Sequence, residues 1–167
     1  MKSMVLNELN GKLNMINIAK PDCSPDAVLI KVLTTSLNFA DTLLIAGKYQ
    51  EKPNLPFAPG MEVCGLIEER GENVNNFTVG QRVVAYVGFG GLTEFMTVEK
   101  NLCFPIPDNL SNEKASSLLI AYGSTELALN YKAKLQKKET LLVLGASGGV
   151  GLSAVQIGKA MGAFVVA

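Results

Sequence analysis

Short apolar runs dominate the first hundred positions, and each is cut off by Gly, Pro or Asn. Residues 4–8 and 13–18 are two such runs, with Asn10-Gly11 between them, a pair that favours a hairpin turn because both residues tolerate positive φ. Lys20-Pro21-Asp22 and Ser24-Pro25-Asp26 predict loop. Residues 27–36 set Val28, Ile30 and Val32 against Leu29, Lys31 and Leu33, which suits a strand covered on both faces. At Asn38 the period changes. Phe39, Leu43 and Ala46 fall at helical spacing, with Asn38 placed to cap and Gly47 to stop, so the spacing predicts a short helix over 38–46. A stiff loop, Pro53-Asn54-Leu55-Pro56-Phe57-Ala58-Pro59-Gly60, leads to three further predicted strands over 62–69, 82–87 and 92–98, the last two joined through Gly88-Phe89-Gly90-Gly91. Many short strands with Gly and Pro turns predict a barrel or a sandwich.

The second part of the chain has a different pattern. Pro105-Ile106-Pro107-Asp108 closes the β-rich part, and Ser111 caps a helical run over 112–131 with its break expected near Gly123. Leu141-Leu142-Val143-Leu144 then runs into Gly145-Ala146-Ser147-Gly148-Gly149-Val150-Gly151, followed by an amphipathic helix and a second apolar run, Phe164-Val165-Val166-Ala167. Strand, glycine turn, helix and strand make a βαβ unit. Glycines permit backbone angles and approaches that a Cβ would block, and the amides at a helix start favour a pyrophosphate. The spacing is a variant of the dinucleotide fingerprint, in the strand–turn–helix context that such a motif needs. The plainer alternative is a tight connection whose small residues only let helix and sheet pack. Without a Gly-Lys-Ser/Thr triplet, a P-loop is excluded. A lone βαβ leaves sheet faces open, and the ribose-reading residue expected about 20 positions past the glycines is not reached. The sequence is therefore read as a truncated form of a larger enzyme.

Composition narrows the function classes. In 167 residues, 48% hydrophobic and 18% charged with zero formal net charge, there is material for a packed core and no basic surface for nucleic acid. No run approaches a membrane span or a signal-peptide core, so a cytoplasmic chain is expected. Cys23, Cys64 and Cys103 are scattered and odd in number, which argues against a disulfide framework and a structural zinc site. There is no histidine, so the commonest general base and metal ligand is missing.

Taken together, Asn38-Phe39-Ala40-Asp41-Thr42, Gly47-Lys48-Tyr49, Leu55-Pro56-Phe57-Ala58-Pro59-Gly60-Met61-Glu62, Val79-Gly80-Gln81-Arg82-Val83, Gly91-Leu92-Thr93-Glu94-Phe95, Ala121-Tyr122-Gly123-Ser124 and the glycine turn resemble the N-terminal half of a medium-chain dehydrogenase/reductase, in the zinc-free quinone oxidoreductase (zeta-crystallin-like) branch. The resemblance covers the whole chain. It implies an α/β protein with a β-rich N-terminal domain: a GroES-like barrel over 1–110, then a bridging helix and the first βαβ unit of a Rossmann domain over 111–167. It also implies hydride transfer from NADPH, with NADH as the open alternative, to a quinone or an α,β-unsaturated carbonyl, a small-molecule partner with no nucleic acid and no membrane.

Zinc-dependent relatives carry cysteine at the place of Asn38 and histidine at that of Met61, and neither residue present offers a thiolate or imidazole. No metal site is expected, and Glu62 is left without a metal to support. The resemblance implies Asn38, Tyr49 and Asp41 as catalytic-site residues. The Asn38 amide would bond the nicotinamide ribose or the substrate carbonyl, Tyr49 would cover the nicotinamide, donate to substrate oxygen or simply plug its loop, and Asp41 would orient the loop. Cofactor binding is assigned to Asn38, Ser124, Ala146, Ser147, Gly148, Gly149, Val150 and Gly151. Leu43 and the pair Glu126-Leu127 depart from the family pattern around the substrate. Two alternatives remain: a non-catalytic structural or binding module, and an enoyl-thioester reductase. The chain alone is expected to be inactive or nearly so, and its exposed strands to drive homo-oligomerisation or strand exchange.

Overall fold

The computed structural model describes all of residues 1–167 and divides into two compact units, Met1–Ser117 and Leu118–Ala167. In the first, β1 (Lys2–Leu6) and β2 (Leu13–Asn17) form an antiparallel hairpin, with Asn10 at φ 59° in its connection. Asn is one of the few residues that adopt this left-handed conformation readily.

A five-stranded antiparallel sheet follows, in the order β6-β3-β4-β5-β7: β3 is Ala27–Thr35, β4 Glu62–Arg70, β5 Arg82–Tyr86, β6 Phe95–Glu99 and β7 Cys103–Pro105. The ladder of β3 on β4 shifts register at Leu29/Ile30 and again at Val32/Thr34. Such irregularities add twist and curl a sheet. Gly65 makes the second shift possible, because a Cβ there would lie 2.3 Å from the Lys31 carbonyl oxygen and 2.6 Å from Ile30 Cγ2. The curled sheet closes over Val28, Ile30, Val63, Ile67, Val83 and Phe77, all buried. The result is a half-barrel, with β6 and β7 as its edges.

Three details differ from the sequence expectation. The strand expected from 92 begins only at Phe95, because the Gly91 and Leu92 N–H groups are used by the loop carbonyls of Gly60 and Pro59 at 2.9 Å each. The short strand β7, ending in a proline, was not expected at all. The helical run after Ser111 breaks before Ala121 and not at Gly123: α2 is Asn112–Ala115, and α3 (Ala121–Glu126) carries Gly123 in its middle.

Helix α1 (Phe39–Ile45) sits between β3 and the loop to β4, ending at Gly47 with φ 66°. Asn112 fastens α2 to this unit: its carbonyl accepts from Thr34 Oγ1 at 2.9 Å, and its Oδ1 from Arg82 Nε and Nη2 at 3.2 and 2.8 Å. The first unit thus continues past residue 110.

In the second unit, α3 widens into a π-helical stretch, Leu127–Lys132. Strand β8 (Thr140–Leu142), α4 (Gly149–Ala160) and β9 (Phe164–Val166) follow, with β8 and β9 parallel, as a βαβ unit requires. Thr125 and Ser153, both buried, join α3 to α4 through hydroxyls 2.6 Å apart. No helix is long and apolar enough to cross a membrane.

Candidate functional site

In the first unit the chain collects polar groups where β3 ends, α1 starts and β4 begins. Asn38 occupies the N-cap of α1. Its Nδ2 donates to Ser36 Oγ at 3.1 Å and to Glu62 Oε1 at 3.0 Å, and Ser36 Oγ donates to the same Glu62 oxygen at 2.6 Å. Thr35 Oγ1 donates to the Glu62 backbone carbonyl at 2.7 Å. Glu62 is 1% exposed, so these donors replace water around a carboxylate that would otherwise be costly to bury.

Asp41, also 1% exposed, lies one turn into α1 and shares a capping box with Asn38. Its Oδ2 accepts from the Asn38 N–H and its Oδ1 from the Gly60 N–H, both at 2.8 Å. The side chain therefore ties the start of α1 to the proline-rich loop, with both oxygens engaged by backbone.

Tyr49 follows α1, half-buried, with its N–H on the Leu43 carbonyl at 3.2 Å. It neighbours Tyr86, whose phenol is pushed above its ordinary value by burial first and then by the nearby Glu51 and Tyr49. Tyr86 faces Glu62 directly across the β4–β5 ladder. Neither Tyr86 nor Ser36 is singled out by the sequence, and Glu62 enters there only as an acid left without a metal to support. The one sequence signal for Glu62 was its place beside Met61; its partner is 24 positions away and only the fold brings them together. Met61 itself is buried at 1% exposure. No group of three or more His, Cys, Asp or Glu side chains could hold a metal, and all three cysteines are free.

In the second unit the glycine turn is built as its spacing predicts. Gly145 has φ 71°, the Gly148 N–H bonds back to the Gly145 carbonyl at 3.1 Å, and Gly148 caps α4 without a side chain. A helix start leaves its first N–H groups without intrahelical partners. Here neither a capping side chain nor an acidic first-turn residue competes for them. Gly151 admits no side chain, since a Cβ would fall 2.2 Å from the Gly145 carbonyl oxygen; at Gly149 the only neighbour within reach is Ala121 Cβ at 3.9 Å. Ser147, Gly148, Gly149 and Val150 are exposed, and Ala146 and Gly151 half-buried. A groove of about 510 Å³ runs beside the turn, lined by Leu142, Leu144, Gly145, Gly149, Leu129 and Ala154. This bare, concave helix start fits a pyrophosphate. Ser124 lies exposed on α3, while the next residue, Thr125, is buried.

Comparison with known proteins agrees with this geometry. Residues 24–108 match the alcohol dehydrogenase GroES-like domain. Quinone oxidoreductase-like protein 2 of Rattus norvegicus is 35% identical over 156 residues, 93% of this chain and 45% of the relative. Quinone oxidoreductase of Mus musculus is 40% identical over 136 residues, 81% of this chain and 41% of the relative. Among solved structures, the quinone oxidoreductase of Thermus thermophilus, determined also in complex with NADPH, superposes with a TM-score of 0.88 at 36% identity, over 99% of this chain and 52% of that one. The chain spans about half the length of the relatives it matches. This chain, a half-barrel continued in sequence by a glycine-turn βαβ unit, belongs to the medium-chain dehydrogenase/reductase superfamily, in its zinc-free, quinone oxidoreductase-like branch.

Proposed function

We propose that this chain serves NADPH-dependent, zinc-independent hydride transfer to a quinone or to the C=C bond of an α,β-unsaturated carbonyl. The observation that carries the reading is the start of α4: a glycine turn with uncapped amides, no side chain in the way and a groove beside it. Gly148, Gly149, Val150 and Gly151, with Ala146 and Ser147, hold the pyrophosphate through backbone N–H groups and the helix dipole. Ser124 offers an exposed hydroxyl to the nicotinamide amide, and Asn38 bonds the nicotinamide end of the cofactor. Bound NADPH supplies the hydride; the protein's part is to position and to exclude water. Tyr49 covers the nicotinamide or donates to the substrate oxygen. Asp41, with both oxygens on backbone amides, holds the loop and performs no proton transfer. NADPH is preferred to NADH because the Thermus thermophilus relative was solved with NADPH.

A cytoplasmic location and association between copies through β8 and β9 complete the proposal, the latter because Leu142, Leu144, Phe164 and Val166 are exposed. That same face favours a second reading, a non-catalytic binding module, which predicts no affinity for either dinucleotide. Calorimetric titration with NADPH and NADH, on the wild-type chain and on Gly149→Asp, separates the two. The substitution has room, and an acid at a helix start supports the fold, yet it sets a negative charge against the pyrophosphate. Binding of NADPH that Gly149→Asp abolishes supports the dinucleotide site. Absence of binding in the wild type, or indifference to the substitution, overturns it.

A further inference from the structure

The Asn38 amide has two N–H hydrogens, and its nitrogen has two acceptors, Ser36 Oγ at 3.1 Å and Glu62 Oε1 at 3.0 Å. A carboxylate accepts hydrogen bonds and returns none, so Glu62 decides which end of the amide faces it. Ser36 reinforces the choice, because its single hydroxyl hydrogen goes to Glu62 at 2.6 Å and leaves its oxygen free to receive the Asn38 N–H. The carbonyl end of Asn38 therefore points the other way, on the α1 side. There the capping arrangement with Asp41 engages at most one of the two lone pairs of Oδ1.

We propose that Glu62 is a positioning residue: it holds the Asn38 amide with its nitrogen end turned inward, so that Asn38 presents Oδ1 to a ligand. The inference rests on the assignment of Asn38 to the cofactor and substrate end of the site, and it decides between the two roles that residue type allows. Asn38 accepts from a hydroxyl, such as that of a ribose. It does not donate to a carbonyl oxygen, and so it does not stabilise the charge that develops there on reduction. That task falls to another donor.

The clamp is tested first without ligand, by nuclear magnetic resonance of the Asn38 side-chain NH2, identified as the pair of signals lost in Asn38→Asp. Solvent exchange of this pair is expected to be slow in the wild type and about tenfold faster in Glu62→Gln, the size of change that loss of one charge-assisted bond produces. An unchanged exchange rate in Glu62→Gln overturns the clamp, whatever the chain binds. The direction of the bond is tested by NADPH titration. Asn38→Asp alone sets two carboxylates together, and Glu62→Gln alone lets the amide turn over; each is expected to weaken NADPH at least about tenfold. The double variant N38D/E62Q restores one carboxylate and one amide with the acceptor oxygen still facing outward, and is expected to recover most of the affinity. A double variant as weak as the worse single one refutes the acceptor role. A wild-type chain that binds no NADPH refutes the functional proposal, and the exchange measurement then still decides the clamp. Titration with 2′,5′-ADP, which lacks the nicotinamide half, is expected to be the same in all four chains; an equal loss there assigns the effect to folding and overturns the positioning role.

Discussion

The two units of the chain bury different things. Met1–Ser117 encloses a continuous apolar core, in which Val28, Ile30, Val63, Val74 and Val83 have no exposed surface or almost none. In Leu118–Ala167 the only buried hydrophobic side chain is Val143, and the closest buried contact is between two hydroxyls, those of Thr125 and Ser153. Leu144 is 85% exposed and Phe164 67%. Apolar burial is the main favourable term in folding, so stability resides in the first unit. The second owes its form to local geometry: a turn only glycines can make, and a short parallel pair. A binding motif can thus be complete in backbone while its surroundings are open.

Substitutions that probe this contrast differ in size. Ile30→Ala removes a wholly buried side chain at the centre of the sheet and is expected to cost about 2–5 kcal/mol, read as a fall in the denaturation midpoint at unchanged slope. Gly151→Val drives a side chain into the Gly145 carbonyl and is expected to cost about 1–3 kcal/mol, read as faster hydrogen exchange along α4. Gly149→Ala at the same turn, where space is open, should leave that exchange unchanged.

Cys103 tests the first unit by pH. Burial pushes its thiol from the ordinary 9.0 up to about 12, so the native state keeps a proton that the unfolded chain releases. Stability is complete below pH 9 and falls as pH rises between 9 and about 12, at most by about 1.4 kcal/mol per pH unit. The slope should flatten in Cys103→Ala. The smallest effect is expected at Leu144→Ser: a stability change within about 0.5 kcal/mol, together with a later elution on size exclusion if the exposed strands drive association.

How much was legible in the sequence follows the same division between local and distant. The hairpin at Asn10-Gly11, the cap at Asn38 and the glycine turn are written in neighbouring residues, and each stands where its signal placed it. Strand β7 was hidden by its proline, and the start of β6 by loop carbonyls that no periodicity reveals. The break before Ala121 escaped because Gly123 was the stronger local breaker. The role of Glu62 was not legible for a physical reason: a buried carboxylate is recognisable only with its donors, and Ser36 and Asn38 reach it from the connection that follows β3.

The central claim is that the start of α4 holds a dinucleotide, and amide chemical-shift mapping on NADPH addition tests it most directly. The account predicts that the largest shifts fall on Gly148, Gly149, Val150 and Gly151. Shifts confined to the apolar hollow of about 600 Å³ beside Phe57 and Phe89, or no shifts at saturating NADPH, would contradict it.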